Sequence, residues 1–217
     1  MWQCSYSRLF FLGDEVVDVC CCSSHVCAFT SDQEVFVWGG KNNRNTPQKL
    51  SGLNEGKDEV EDNKIVGVRV EEGVVAVTDR KGQLFTATFS IDNDDWGLLQ
   101  RRSVDVKAKK VVILQSGLLI LDGQDERVKF IDDKAEENKL VKVKVMPDDR
   151  KVRLLGGRGG KNAVTVDMAD NVFKFDLKSM TFIPVDLSKK ESLINGFKLI
   201  DLDLYHDFLT ILYECST

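Results

Sequence analysis

Four cysteines and a histidine crowd the stretch VVDVCCCSSHVCAFTSDQEVFVWGG, residues 16–40. Cys20, Cys22, His25 and Cys27 are all of ligand type, and zinc sites draw on clustered Cys and His. Their spacing matches no familiar zinc knuckle. On a strand, successive side chains point to opposite faces, so Cys20 and Cys22 share one side while Cys21 takes the other. Small buried thiols on a strand are the reading this favours over a metal site, because free cysteine commonly behaves as a small hydrophobe. Cys4 and Cys215 lie far from the cluster.

Other residues that could do chemistry fail on spacing. Gly156-Gly157-Arg158-Gly159-Gly160-Lys161 looks like a phosphate cradle, yet Leu155 stands where its first glycine belongs and Asn162 replaces the Ser or Thr after the lysine. It reads as a glycine-rich turn with two cations, Arg158 and Lys161, free to meet an acidic partner. The acidic pairs around Asp92, Asp94 and Asp95, at Asp132 and Asp133, and at Asp148 and Asp149 lack the glycine and terminal glutamate of a calcium loop. Neither His25 nor His206 sits in a nucleophile motif, so acid/base or Ser-His-Asp catalysis has no support. The expectation is a protein that is not an enzyme, with no cofactor and no metal.

The elements that carry these residues repeat. A valine-rich strand, a short turn, a second strand closing on Asp or Gly, and a third strand with an aromatic residue recur near 16–40, 64–89, 104–131 and 152–175. The third strands begin at Val35, Leu84, Val128 and Val172, in steps of 49, 44 and 44 residues. Such steps are blade periods of a β-propeller. A fifth copy, an inner hairpin within 198–214, has no third strand after it, while residues 8–13 (RLFFLG) look like a third strand with no hairpin before it. Pairing the two would close the last blade and leave no open edge. The reading is therefore an all-β chain: one small propeller of about five antiparallel blades over 1–217. Pro47, Pro147 and Pro184 fall between the strand groups, and the acidic run at 54–64 reads as a solvated loop.

Composition narrows the partners. Thirty basic and 35 acidic residues among 217 give a net charge of −5, against a surface dominated by phosphate binding. Two basic stretches stand out, one with Arg101, Arg102, Lys107, Lys109 and Lys110, the other with Lys139, Lys142, Lys144, Arg150, Lys151 and Arg153. Few aromatics interleave them, so stacking platforms for single strands are missing and nucleic acid is not the expected direct ligand. They read as solubility and edge protection, or as a patch for an acidic protein. No run reaches bilayer length and the first residues carry no secretion pattern, so the expectation is an intracellular protein of cytoplasm or nucleus.

Residues 16–39 also resemble the repeat of the regulator of chromosome condensation family. Val19, Cys21, His25, Ala28, Thr30, Asp32, Val35, Phe36, Trp38 and Gly39 occupy its matching positions without a gap. Cys22 and Gln33 replace two of its usual glycines. Later copies retain Ala76-Val77-Thr78-Asp79 with Gly82, Gln83, Leu84 and Phe85, then Ala163-Val164-Thr165. The family's ring has seven blades, so the chain is similar to a contracted relative or a partial ring. The resemblance implies a protein-binding module, a scaffold or adaptor subunit, and it allows nucleotide exchange or other regulation of a small GTPase. Chromatin or RNA association is a further reading. Trp38 is either packing between blades or a partner-binding anchor, and with Arg101, Arg102, Lys142, Lys144, Arg158 and Lys161 it completes the candidate contact set.

Overall fold

A computed structural model describes residues 15–40, 44–53, 64–71, 73–132, 140–141, 151–157, 162–187, 197–205 and 208–215. The first sheet runs β1 (Val16–Cys21), β2 (His25–Thr30), β3 (Val35–Gly39) and β4 (Arg44–Leu50). The second has β5 (Ile65–Glu71), β6 (Val74–Asp79) and β7 (Leu84–Ser90), with two short outer pieces, β8 (Asp95–Trp96) and β9 (Gln100–Arg101), both paired to β7. The third is β10 (Ala108–Leu114), β11 (Gly117–Asp122), β12 (Val128–Asp132) and β13 (Leu140–Val141). The fourth is β14 (Val152–Gly156), β15 (Val164–Asp167), β16 (Val172–Asp176) and β17 (Thr181–Pro184). A hairpin of β18 (Phe197–Tyr205) and β19 (Phe208–Cys215) ends the series. Every pairing is antiparallel.

The chain is thus an all-β propeller of about five blades. Among the described residues no helix is long and apolar enough to cross a membrane. The strand segment at 8–13 lies outside the described residues, as do His206, Pro147 and the acidic loop at 54–63.

Alternation decides how the blades stack. Cys20, Cys27, Phe29, Val35 and Val37 of the first sheet meet Val68, Val70, Val75 and Val77 of the second in one apolar layer. Ala76 and Leu84, on the opposite face of the second sheet, meet Ile113, Leu118 and Ile120 of the third. Leu119, Leu121 and Phe130 then face Leu155, Phe173 and Phe175 of the fourth. Val164 and Val166 close against Leu199 and Leu202 of the hairpin. A sheet covered on both faces needs apolar residues at consecutive positions, and β11, GLLILD, is buried along its whole length.

Each three-strand unit carries a fourth, outer strand that the sequence pattern does not show. Pro47 and Pro184 therefore lie in β4 and β17, not between strand groups. Outermost strands tolerate proline because one row of their N–H groups has no ladder partner. Asp95 and Asp132, from the acidic pairs, lie in β8 and β12.

The hairpin between second and third strands repeats a backbone feature. Gln33, Gly82, Glu126 and Asp170 have φ of 65°, 78°, 57° and 63°. In three blades this residue holds the next inner strand: Ala108 N donates to Gly82 O at 2.8 Å, Val152 N to Glu126 O at 2.7 Å, and Ile65 N to the Gln33 side-chain Oε1. At Gly82 the approach is so close that a Cβ would meet Lys107 Cα at 2.8 Å. The Trp-Gly at the end of β3 has a similar cause: with Gly39 at φ 104°, a Cβ would stand 2.3 Å from Ser24 O.

Two substitutions test this joint. Gly82→Ala adds left-handed strain and a backbone clash, and should cost at least about 1–3 kcal/mol. Gln33→Gly removes a left-handed cost of about 1 kcal/mol but leaves Ile65 N unpaired, which costs about 1–3 kcal/mol. A net loss of about 1 kcal/mol is expected in urea unfolding. A more stable Gln33→Gly variant would show that the side-chain bond contributes nothing.

Candidate interaction surface

The residues closing the second strands, Thr30, Asp79, Asp122 and Asp167, are 0–2% exposed. A carboxylate survives such burial only when its acceptor sites are filled. Asp79 Oδ1 accepts from Gln83 N at 2.7 Å. Asp122 Oδ1 accepts from Gln124 N at 2.9 Å and Lys107 N at 3.3 Å, while Oδ2 pairs with Lys129. Asp167 takes Ala169 N at 2.8 Å, Asn171 N at 2.9 Å and Asn171 Nδ2 at 2.9 Å. In the first blade Thr30 Oγ1 does the same task for Glu34 N at 3.4 Å. Burial pushes the Asp122 carboxyl up, but Lys129 and the two amides outweigh it and hold the group below the usual carboxylate range.

The first strands share a second device. Pairing slips between Val16 and Asp18, Ile65 and Gly67, Ala108 and Lys110, Val152 and Leu154, and Leu199 and Asp201. A bulge leaves one residue without a partner and bends the strand. The extra residues are Val17, Val66, Lys109, Arg153 and Ile200, and the three apolar ones are 55%, 51% and 39% exposed. Successive first strands pack on each other, β1 on β5, β5 on β10, β10 on β14 and β14 on β18, so these positions gather around one axis. Charges cross it. Arg69 Nη1 stands 3.9 Å from Asp18, Arg153 Nη1 donates to Leu199 O at 2.8 Å, and Lys110 Nζ reaches Asp201 at 3.0 Å although β14 lies between their strands.

No protein-family model matches the sequence, and no curated protein matches it. Solved structures do match. Human WBSCR16 gives a TM-score of 0.68 over 93% of this chain and 58% of its own length, at 13% identity. Prp20p from Saccharomyces cerevisiae, studied for its binding to Gsp1p and histones, gives 0.58 over 88% of this chain and 54% of its own, at 10% identity. Yeast RCC1 (Prp20) in its complex with Kap60 gives 0.60 over 91% and 53%, at 12% identity. The fold is a β-propeller similar to those of these RCC1-type structures. The chain spans little more than half the length of these structures, and at such identities the likeness is one of fold.

On this propeller the candidate contact residues separate. Arg101 is exposed in β9, at the outer edge of the second sheet. Arg102 follows it, with its Nε donating to Thr86 Oγ1 at 2.6 Å, so it braces the edge. Trp38 lies in β3 opposite Val26, half-buried and on another sheet. Lys142, Lys144, Arg158 and Lys161 lie outside the described residues. Lys109 occupies the bulge of β10, and Lys107 precedes that strand.

The cysteine and histidine cluster is divided between environments. Cys20 and Cys27 oppose each other across β1 and β2 and are buried against the second sheet. Burial pushes the Cys27 thiol far up, with a smaller contribution from Cys20. Cys21 is exposed on the other face, so the reading as small buried thiols holds for Cys20 and Cys27 and not for Cys21. His25 is tied to the turn by its side chain: its Nδ1 pairs with Ser24 Oγ at 2.8 Å. Its ring packs edge-on to Trp96 at 5.3 Å and tilted to Phe89 at 5.8 Å, and burial lowers its pKa. Trp96 and Phe89 give no hint of this contact in the sequence, since Trp96 enters through the short outer strand β8.

Two outcomes are expected. Mass spectrometry after brief alkylation of native protein should find Cys21 modified well before Cys20 and Cys27; equal rates would contradict the burial pattern. Asp122→Ala should cost about 2–3 kcal/mol, at the low end for a broken buried pair because Lys129 keeps Asp125 at 3.2 Å. The folded carboxyl is depressed, so its contribution is complete above the unfolded value of about 3.9 and disappears as pH falls through the lower folded value. Acid unfolding of Asp122→Ala should accordingly be flatter below about pH 4 than that of the parent. Parallel curves would remove Asp122 from the acid response.

Proposed function

We propose that this chain is a non-enzymatic protein-interaction module, a scaffold or adaptor subunit of an intracellular complex. The observation that carries the reading is where the acids go. Asp79, Asp122 and Asp167 are consumed in bracing turns, and His25 is boxed by two aromatic rings. What differs from blade to blade is the exposed side chains on those braced turns and outer edges, which is how a rigid repeat scaffold presents a binding surface. Arg101 and Trp38 are its described contact candidates, joined by Lys142, Lys144, Arg158 and Lys161. Cytoplasm or nucleus is the compartment that suits four cysteines clustered within eight residues, a spacing unlike the dispersed framework of a secreted disulfide domain.

A second reading, regulation of a small GTPase through nucleotide release, is favoured by the fold likeness to Prp20p, studied for its binding to Gsp1p. The shared length of about half keeps that activity a proposal for this chain.

Tagged full-length protein, purified from cells and analysed by mass spectrometry, should retain at least one chain in fixed ratio. Arg101→Glu should reduce recovery of that chain without moving the thermal midpoint. Purification of the bare chain at native abundance would overturn the adaptor reading, and faster nucleotide release from a co-purified GTPase would establish the second.

A further inference from the structure

The axis holds a cavity of about 230 Å³ between the second and third sheets. Asp18 of β1, Val66 to Arg69 of β5, Ala76 and Thr78 of β6, and Lys109 to Val111 of β10 line it. Its origin is local. Gly67 supplies no side chain where the inner strands separate, and a Cβ there would stand 3.2 Å from Thr78 Oγ1. The bulge in β10 delivers two consecutive lysines, Lys109 and Lys110, to the same opening, which alternation would have placed on opposite faces.

Charge selects the occupant. Three cations, Arg69, Lys109 and Lys110, face one carboxylate, Asp18. Lys110 is engaged by Asp201 at 3.0 Å, and Arg69 is loosely matched to Asp18 at 3.9 Å. Lys109 is exposed and has no acidic partner among the described residues. A cation would be repelled by this set. Size excludes a nucleotide or other drug-sized ligand, whose pockets start at about 300 Å³. Thr78, whose hydroxyl donates to Gly67 O at 3.5 Å, lines the cavity beside the apolar Val66, Ala76 and Val111.

The geometry points to a site for a single small oxyanion, a carboxylate or phosphate group, held by Lys109 and Arg69 over Thr78. The site stands on this cavity alone and does not depend on the chain's being an adaptor. Its two sources are a free ion and the acidic side chain of a bound protein.

Amide chemical shifts of the full chain, followed at constant ionic strength, separate them. The probes are inorganic phosphate and a hexaglutamate peptide, with hexaglutamine as control. Saturable shifts are expected at Gly67 to Arg69 and Lys109 to Val111. Lys109→Gln should weaken binding about threefold, as for one half-solvated ion pair, while Lys107→Gln, outside the lining, should leave it unchanged. Binding of phosphate alone assigns the free ion; binding of hexaglutamate alone assigns a protein carboxylate; both together assign the shared group. Absence of saturable shifts at these residues with either probe overturns the site. So does an equal loss in Lys107→Gln and Lys109→Gln, which would reduce the effect to a diffuse surface field.

Discussion

The joint between one blade's turn and the next blade's first strand is the constraint from which the rest of this propeller follows. At Gly82 and Glu126 a left-handed residue turns its carbonyl toward the first residue of the next inner strand, and at Gln33 a side-chain oxygen makes the same bond. The receiving residues, Ile65, Ala108 and Val152, each stand immediately before a bulge. The inner strand is therefore fixed at its start and bent one residue later. A sheet fixed in this way cannot slide against its neighbour without breaking a buried backbone bond, which is costly in an apolar surround. The interlocking layers of Val, Leu, Ile and Phe can then pack in one register only.

Buried acids hold the joint in place. Asp79, Asp122 and Asp167 satisfy the amides of the turn that carries the left-handed residue, and in the Asp122 and Asp167 turns that residue is not glycine. This is why Glu126 and Asp170 can occupy a conformation that costs an ordinary side chain about 1 kcal/mol, while at Gln33 the Thr30 hydroxyl stands in for the acid. It also frees those positions to vary. Glu126 pairs with Lys151 at 2.9 Å and Asp170 with Arg153, so the varied side chains add links of their own.

Much of the fold was legible because the packing is two-sided and repetitive. The apolar run of β11 and the aromatic third strands follow directly from layers covered on both faces. The third strands begin at Val35, Leu84, Val128 and Val172, where the sequence period places them. The outer strands were not legible: β4 contains proline, and β8, β9 and β13 have only two residues each, too few for any alternation to register. Bulges escaped for a related reason. One inserted residue breaks the period of two, and Val17, Val66 and Ile200 then look like core residues while Lys109 looks like part of a solvated face. The site was hidden with them, since the cavity depends on the bulge in β10 and on a glycine in β5 that reads as an ordinary small residue.

The ion pair between Lys110 and Asp201 carries the argument about shape furthest. Their strands, β10 and β18, are separated by β14, which packs against both. One lysine side chain spans that interval only if the three strands curve tightly around a common axis. Burial raises the Asp201 carboxyl, and Lys110, with a further contribution from Arg69 on β5, more than reverses it. Charges from the second and third sheets therefore act on a single carboxylate of the last hairpin. A flat stack of sheets would keep those strands roughly 10 Å apart per layer, and their charges would be screened from one another. The bulges supply the needed curvature, and the same bends carry Lys109 and Lys110 to the axis.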